Sequence, residues 1–468
     1  MKTWMRKKAI GLESVADHHR LKPTLSWWHL VALGVGAIVG TGIYTLVGVG
    51  ANMAGPAVII SFLIAGAICA CAALAYAEVA TMIPASGSAY TYSYVVLGEI
   101  IAWVVGWCLI LEYSLVVSAV AVGWSGYAVG FLQGLGIDLP TALIAGPHAG
   151  GVVNLPAVAI VAVVAGLLTL GTRESATLNA VLVVIKIVAL VVFVAVALPH
   201  FDAANFKPFM PNGFVAHSVN GVQMGVMAAA AIIFFAFYGF DAVSTAAEET
   251  KNPGRDMPIG IVGSMVVCTI IYVGVAAVAV GAMPVARFAN SPEPLALILR
   301  ELSSGTAAAV VGAAAVIALP TVILAFLFGQ SRIFFVMARD GLFPKALAKV
   351  SAKTGTPVRI TILTAAVVAV LAGLVPLDEI AALANAGTLV AFIAVAACML
   401  VMRRTKPDAK RVLRTPAAWV IGPLGILGCL YLFISLPNLT HVFFVIWTVA
   451  GLALYFLWGA RRLDKENG

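Results

Sequence analysis

Leu33-Gly34-Val35-Gly36-Ala37-Ile38-Val39-Gly40-Thr41-Gly42-Ile43-Tyr44 places four glycines within nine residues, in the middle of an apolar run. Each costs about 1 kcal/mol relative to alanine inside a helix, so the cluster either packs tightly or fails to be helical. Tight packing has a ready form, because Gly36 and Gly40 make a G-x-x-x-G face that lets a neighbouring helix approach. A second stretch tips the balance. Phe234-Phe235-Ala236-Phe237-Tyr238-Gly239-Phe240-Asp241-Ala242-Val243-Ser244-Thr245 interrupts another apolar run with a glycine and an ionisable aspartate. Paired interruptions in corresponding halves of a chain point to a binding site between the halves.

The runs around these stretches are long. Of 468 residues, 62% are hydrophobic and 10% charged, against about 25% charged in a soluble domain. Blocks such as 102–122, 157–170, 181–198 and 442–458 cover most or all of the ~20 residues needed to cross a hydrocarbon core. Twelve spans are expected, near 27–50, 57–82, 97–132, 153–170, 178–199, 221–247, 259–283, 306–336, 357–375, 379–402, 417–436 and 438–460. The third is long for one crossing and must tilt or protrude. Nothing of size lies outside these runs, so no soluble enzyme is attached. If spans 1–5 and 6–10 are two repeats, the odd number inverts the second, and the interrupted spans one and six correspond.

The net charge of +8 belongs to topology rather than to nucleic acid. With the N-terminus inside, 24 of the 28 Lys and Arg residues fall on the cytoplasmic side. Only Lys207, Arg287 and Arg300 fall outside, and Lys186 lies within a span. This asymmetry follows the positive-inside rule and puts both termini in the cytoplasm. The expected organisation is a cytoplasmic segment 1–26, a ten-helix core 27–402, a basic cytoplasmic loop 403–416, helices eleven and twelve within 417–460, and a cytoplasmic tail 461–468. The basic N-terminus lacks a cleavage site and does not read as a removed signal peptide.

Where a helix unwinds, backbone N–H and C=O groups lose their internal partners, and in hydrocarbon they need protein, water or ligand. Half-helix N-termini suit a carboxylate, and freed carbonyls suit an ammonium group. A zwitterion satisfies both, so an α-amino acid is the natural ligand.

The chain resembles the amino acid–polyamine–organocation superfamily, and within it the bacterial relatives of cationic amino acid transporters. The resemblance is carried by Gly36-Ala37-Ile38-Val39-Gly40-Thr41-Gly42-Ile43-Tyr44, by Ile83-Pro84-Ala85-Ser86-Gly87-Ser88-Ala89-Tyr90-Thr91-Tyr92 and by Phe240-Asp241-Ala242-Val243-Ser244-Thr245-Ala246-Ala247-Glu248-Glu249. Lys251-Asn252-Pro253, Gly329-Gln330-Ser331-Arg332 and Met337-Ala338-Arg339-Asp340-Gly341 add to it, and it extends from about Trp27 to Trp458. Tyr44 stands where many relatives carry Phe. The resemblance implies an all-α integral membrane fold of twelve transmembrane helices. These form a five-plus-five inverted repeat with discontinuous helices one and six, plus two C-terminal helices, working by alternating access in the plasma (inner) membrane. It also implies that Thr41 and Gly42 offer amides to a substrate carboxylate. Phe235, Ala236 and Tyr238 would offer carbonyls to the amine, with the Phe235 ring as a gate. Ile38, Gly40, Phe237 and Gly239 complete the candidate substrate-binding set.

Three ionisable residues sit deep: Glu112, Lys186 and Asp241. Each costs about 2.5–3.5 kcal/mol or more at a helix centre, which favours a functional role. Lys186 lies about eight residues, roughly 12 Å, into span five. An amine deprived of water loses its proton more readily, which suits a proton switch. In proton-coupled relatives, the resemblance implies, such a lysine takes the place of sodium. Protonated Lys186 is expected to hold spans one and eight together. Asp241 is expected to cap freed amides, and Glu112 to shape the pocket or relay protons. Phe326 and Phe328 suggest an apolar subsite in span eight, and Glu248-Glu249 a solvated gate.

Other classes fit less well. No TVGYG-like filter marks a channel, and no GxxxxGK[ST] marks an ATP-driven pump. The seven histidines form no HExxH, and the six cysteines lie in apolar blocks without CxxC spacing. No cofactor or metal is expected. The expected partners are an amino acid, protons and the lipid bilayer. The side chain carried, small neutral or cationic, and the choice between symport and exchange stay open.

Overall fold

The computed structural model describes residues 6–7, 25–83, 87–170, 175–219, 221–247, 250–302, 305–344 and 358–459. Pro84-Ala85-Ser86, Glu248-Glu249, Arg173, most of segment 1–26 and the tail 461–468 lie outside the described residues. The first half of the chain carries α1 (Trp27–Ile38), α2 (Thr41–Tyr44), α3 (Leu46–Ala54), α4 (Val58–Met82), α5 (Ser88–Val96), α6 (Glu99–Gly134), α7 (Thr141–Ile144), α8 (Leu155–Leu170) and α9 (Ser175–Ala197). Then follow α10 (Val226–Ile233), α11 (Phe240–Thr245), α12 (Pro253–Ala282), α13 (Val285–Phe288), α14 (Pro294–Glu301), α15 (Gly305–Ala318), α16 (Pro320–Arg339), α17 (Val358–Leu374), α18 (Leu377–Thr405), α19 (Ala418–Ile434) and α20 (Asn438–Leu454).

Eight helical stretches among the described residues are long and apolar enough to cross a membrane, and four shorter apolar helices accompany them. The protein is a multi-pass membrane protein. Each of the twelve expected stretches carries helix. At 36 residues, α6 is about 54 Å long at 1.5 Å per residue, well beyond a 30 Å core.

Several details differ from the expectation. The stretch 306–336 is two helices, because Pro320 lacks the N–H that would continue α15 and starts α16 at its first position instead. Connecting helices α5, α7, α13 and α14 were not anticipated. Neither was a two-stranded hairpin, His217–Val219 against Val222–Met224, which delays α10 to Val226.

Burial separates centre from periphery. The 226–245 stretch is wholly buried, whereas only 17% of the apolar window in 438–457 is. On α9, Val181, Val184, Val188 and Val191 form an exposed stripe at helical spacing. An apolar stripe of this kind on a membrane helix faces lipid.

At one end of the bundle a buried ion cluster ties α4 to α18 and to the segment 403–416. The Glu78 carboxylate accepts both Nε (2.7 Å) and an Nη (2.6 Å) of Arg403, Nε of Arg411 (3.0 Å) and the Thr415 amide (2.8 Å). The Thr415 hydroxyl donates to the Leu74 carbonyl. The basic segment is therefore folded back onto α4.

Candidate functional site

The first interruption lies between α1 and α2. Val39 and Gly40 leave the helical conformation for extended backbone (ψ 96° and −150°), and helix resumes at Thr41. The second follows α10, where residues 234–237 make one 3-10 turn, Tyr238 is extended and Gly239 takes φ +119°. That φ favours glycine. A Cβ on Gly239 would also lie 2.7 Å from the Ala37 carbonyl carbon and from the Ile38 nitrogen.

The two interruptions touch at two points. Gly239 abuts Ala37 and Ile38, and Gly42 abuts Ala236 so closely that a Cβ at 42 would collide with its backbone. As numbers rise along one strand of contact they fall along the other, so the two broken helices cross in opposite senses.

The freed carbonyls of the first interruption are occupied by side chains. Lys186 donates from Nζ to Gly36 (2.7 Å) and Val39 (3.0 Å), and the Tyr272 hydroxyl donates to Ile38 (2.6 Å). Lys186 is fully buried and pairs with no carboxylate among the described residues. Burying an ammonium costs several kcal/mol, and hydrogen bonds to charged groups return about 1.5–3 kcal/mol each. One acceptor is in the last turn of α1 and the other directly follows it. The expected tie between spans one and eight is instead a tie between α9 and α1, because the side chain reaches the carbonyls that α1 releases. The Tyr44 hydroxyl donates to the Lys186 carbonyl (3.1 Å), and Tyr127 donates to the Tyr44 carbonyl (2.6 Å). The amides of Thr41 and Gly42 make no hydrogen bond among the described residues.

At the second interruption the Gly239 amide donates to Asp241 Oδ1 (3.1 Å), and the Tyr113 hydroxyl donates to Oδ2 (2.9 Å). The carbonyls of Ala236, Phe237 and Tyr238 receive no hydrogen bond among the described residues. Glu112 is fully buried, and neither carboxylate oxygen has a hydrogen-bond partner among the described residues.

A small cavity, with room for about one water, lies between the interruptions, lined by Ala37, Ile38, Gly40, Thr41, Gly42, Phe235 and Tyr238 with Val116, Val120, Val322 and Phe326. Phe326 lines it but Phe328 does not; the Arg332 guanidinium sits 2.9 Å from the centroid of the Phe328 ring. Among the sequence candidates, Ala236, Phe237, Gly239, Glu112, Lys186 and Asp241 stand behind the cavity wall rather than in it. Val116 and Val120 of α6 and Val322 of α16 were not foreseen. Their helices are largely apolar, so no clear periodicity marks the inner face.

Residues 25–458 match the family model described as amino acid permease. The chain belongs to the amino acid permease family. The permease is 46% identical to the branched-chain amino acid permease BcaP of Bacillus subtilis (strain 168), over 99% of this chain and 98% of that one. It is 41% identical to the methylthioribose transporter of the same organism, over 99% of each chain. It is also 38% identical to the vacuolar cationic amino acid transporter 4 of Arabidopsis thaliana, over 87% of this chain and 68% of that one. The permease is a transporter and not an enzyme, and its superfamily is the one its sequence resembles.

Proposed function

We propose that this permease is a secondary active transporter that moves a small neutral, apolar L-amino acid across the plasma (inner) membrane by alternating access. The observation that carries the reading is the cavity between the interruptions. It combines the unpartnered amides of Thr41 and Gly42 on one side, the unpartnered carbonyl of Tyr238 on the other, and side-chain walls of Val116, Val120, Val322 and Phe326. Amides suit the carboxylate and carbonyls the ammonium. No acid lines the cavity, so a cationic side chain would find no counter-charge there. The name of the branched-chain permease that this chain matches over nearly its full length agrees with that preference.

The wider reading follows. Twelve spans form a five-plus-five inverted repeat, supported by the opposed crossing of the two broken helices, with two further helices and both termini cytoplasmic. Lys186 couples transport to protons: charged, it holds the carbonyls of Gly36 and Val39 and closes α1 against α9; neutral, it has fewer donors to do so. The test is a thermal-shift panel of the twenty amino acids and methylthioribose, followed by proteoliposome uptake with and without a proton gradient. Stabilisation by valine, leucine or alanine and gradient-driven uptake are expected. Selective stabilisation by lysine and arginine would overturn the substrate assignment. Sodium-dependent, gradient-indifferent uptake would overturn the coupling.

A further inference from the structure

The last turn of α10 ends at Ile233, where the Phe234 amide reaches the carbonyls of Ala230 and Ile232, and the Ala231 carbonyl loses the amide that a continuing helix would supply. Asn385 of α18, 154 positions beyond Ala231, meets this carbonyl and that of Ile232. Its side-chain nitrogen lies 2.5 Å from the Ala231 oxygen and 3.2 Å from the Ile232 oxygen. Chemistry fixes this orientation of the amide, because both partners are carbonyl oxygens that can only accept. The residue is fully buried, and its own oxygen has no hydrogen-bond partner among the described residues.

We propose that Asn385 is a positioning residue for substrate binding: by holding the carbonyls of Ala231 and Ile232 it sets the direction in which the chain leaves α10. It thereby places Phe235 against the cavity and Ala236 against Gly42. The inference rests on the reading of the two interruptions as the binding site. It assigns to α18, which lines no part of the cavity, control over the ammonium-facing half of it.

The amide gives a distinctive test, because aspartate has nearly the same shape and the opposite polarity. A carboxylate in Asn385→Asp would face two carbonyl oxygens and repel them, whereas the protonated acid supplies one donor. The titratable groups on the elements packed against α18 include Cys108, Glu112 and Tyr113 on α6, Cys69, Cys71, Tyr76 and Glu78 on α4, Tyr90, Tyr92 and Tyr94 on α5, Cys429 on α19, and Tyr238 and Asp241 around the second interruption. All are common to variant and wild type. Exchange of leucine is measured in proteoliposomes at equal pH on both sides, from pH 5 to 8, and the variant is divided by wild type at each pH. The ratio for Asn385→Asp is expected to fall at least tenfold as pH rises, through a higher KM with a smaller change in kcat. Asn385→Leu is expected to raise KM at least tenfold at every pH. A flat ratio for Asn385→Asp, or a wild-type KM for Asn385→Leu, overturns the proposal.

Val120→Phe, which fills the cavity, separates the two layers of argument. If it raises KM while both Asn385 variants leave KM alone, only the role of Asn385 falls. If none of the three alters KM, the binding-site reading falls with it. Should neither Asn385 variant be recovered folded, a substrate-bound cryo-EM structure of the wild type decides. Contacts from Asn385 to Ala231 and Ile232 are expected to persist there, and a side chain turned away from both overturns the proposal.

Discussion

At the first interruption a buried ammonium and a tyrosine hydroxyl occupy the carbonyls of Gly36, Ile38 and Val39; at the second, a carboxylate accepts the amide of Gly239. The protein thus neutralises opposite ends of the peptide dipole at the two places. What is left over differs accordingly: amides at Thr41 and Gly42, carbonyls at Ala236, Phe237 and Tyr238. A symmetric pair of breaks would present the same groups twice and suit no zwitterion. The lesson is that an unwound helix becomes selective through whichever half of its polarity the surrounding side chains have already satisfied.

Four substitutions would break or sharpen that contrast. Gly42→Ala drives a methyl group into the Ala236 backbone and separates the two interruptions. Uptake of leucine should fall at least a hundredfold, about 2.7 kcal/mol, and near-normal uptake would mean that the contact is dispensable. Lys186→Ala empties two carbonyls of the first interruption. Uptake should drop about tenfold, and the remainder should be level from pH 5 to 8; an intact pH profile would remove Lys186 from the coupling. Asp241→Asn keeps an acceptor for Gly239 but loses the negative charge at the second interruption. KM should rise about tenfold, close to the ~1.5 kcal/mol lower bound for a hydrogen bond to a charged group. Tyr272→Phe deletes a single neutral donor to Ile38, worth about 1 kcal/mol, so about a fivefold rise in KM is expected. Should Tyr272→Phe cost more than Asp241→Asn, the two sides would not differ through charge.

Much of this was legible in the sequence for a physical reason. Glycine clusters and lone charges are conspicuous in apolar runs, so the membrane character, the interruptions at Gly40 and Gly239 and the burial of Glu112, Lys186 and Asp241 could be anticipated. Partners could not. Tyr272 and Asn385 reach acceptors 234 and 154 positions away, and nothing local says where such distant partners lie. The same blindness paired Phe326 with Phe328 and directed Lys186 toward span eight. When a helix is apolar all round, its sequence does not say which side faces in.

The Glu78 cluster has a mechanical consequence. One carboxylate clasps two guanidiniums and the Thr415 amide, so the stretch leading into α19 is a bracket and not a hinge. With its near end clamped to α4 and α18, that stretch has little slack for letting α19 and α20 drift. Any rocking that parts α4 from α18 at this end must first prise open a two-pronged arginine grip. The final helix pair would then ride with whichever of the two kept hold of the segment.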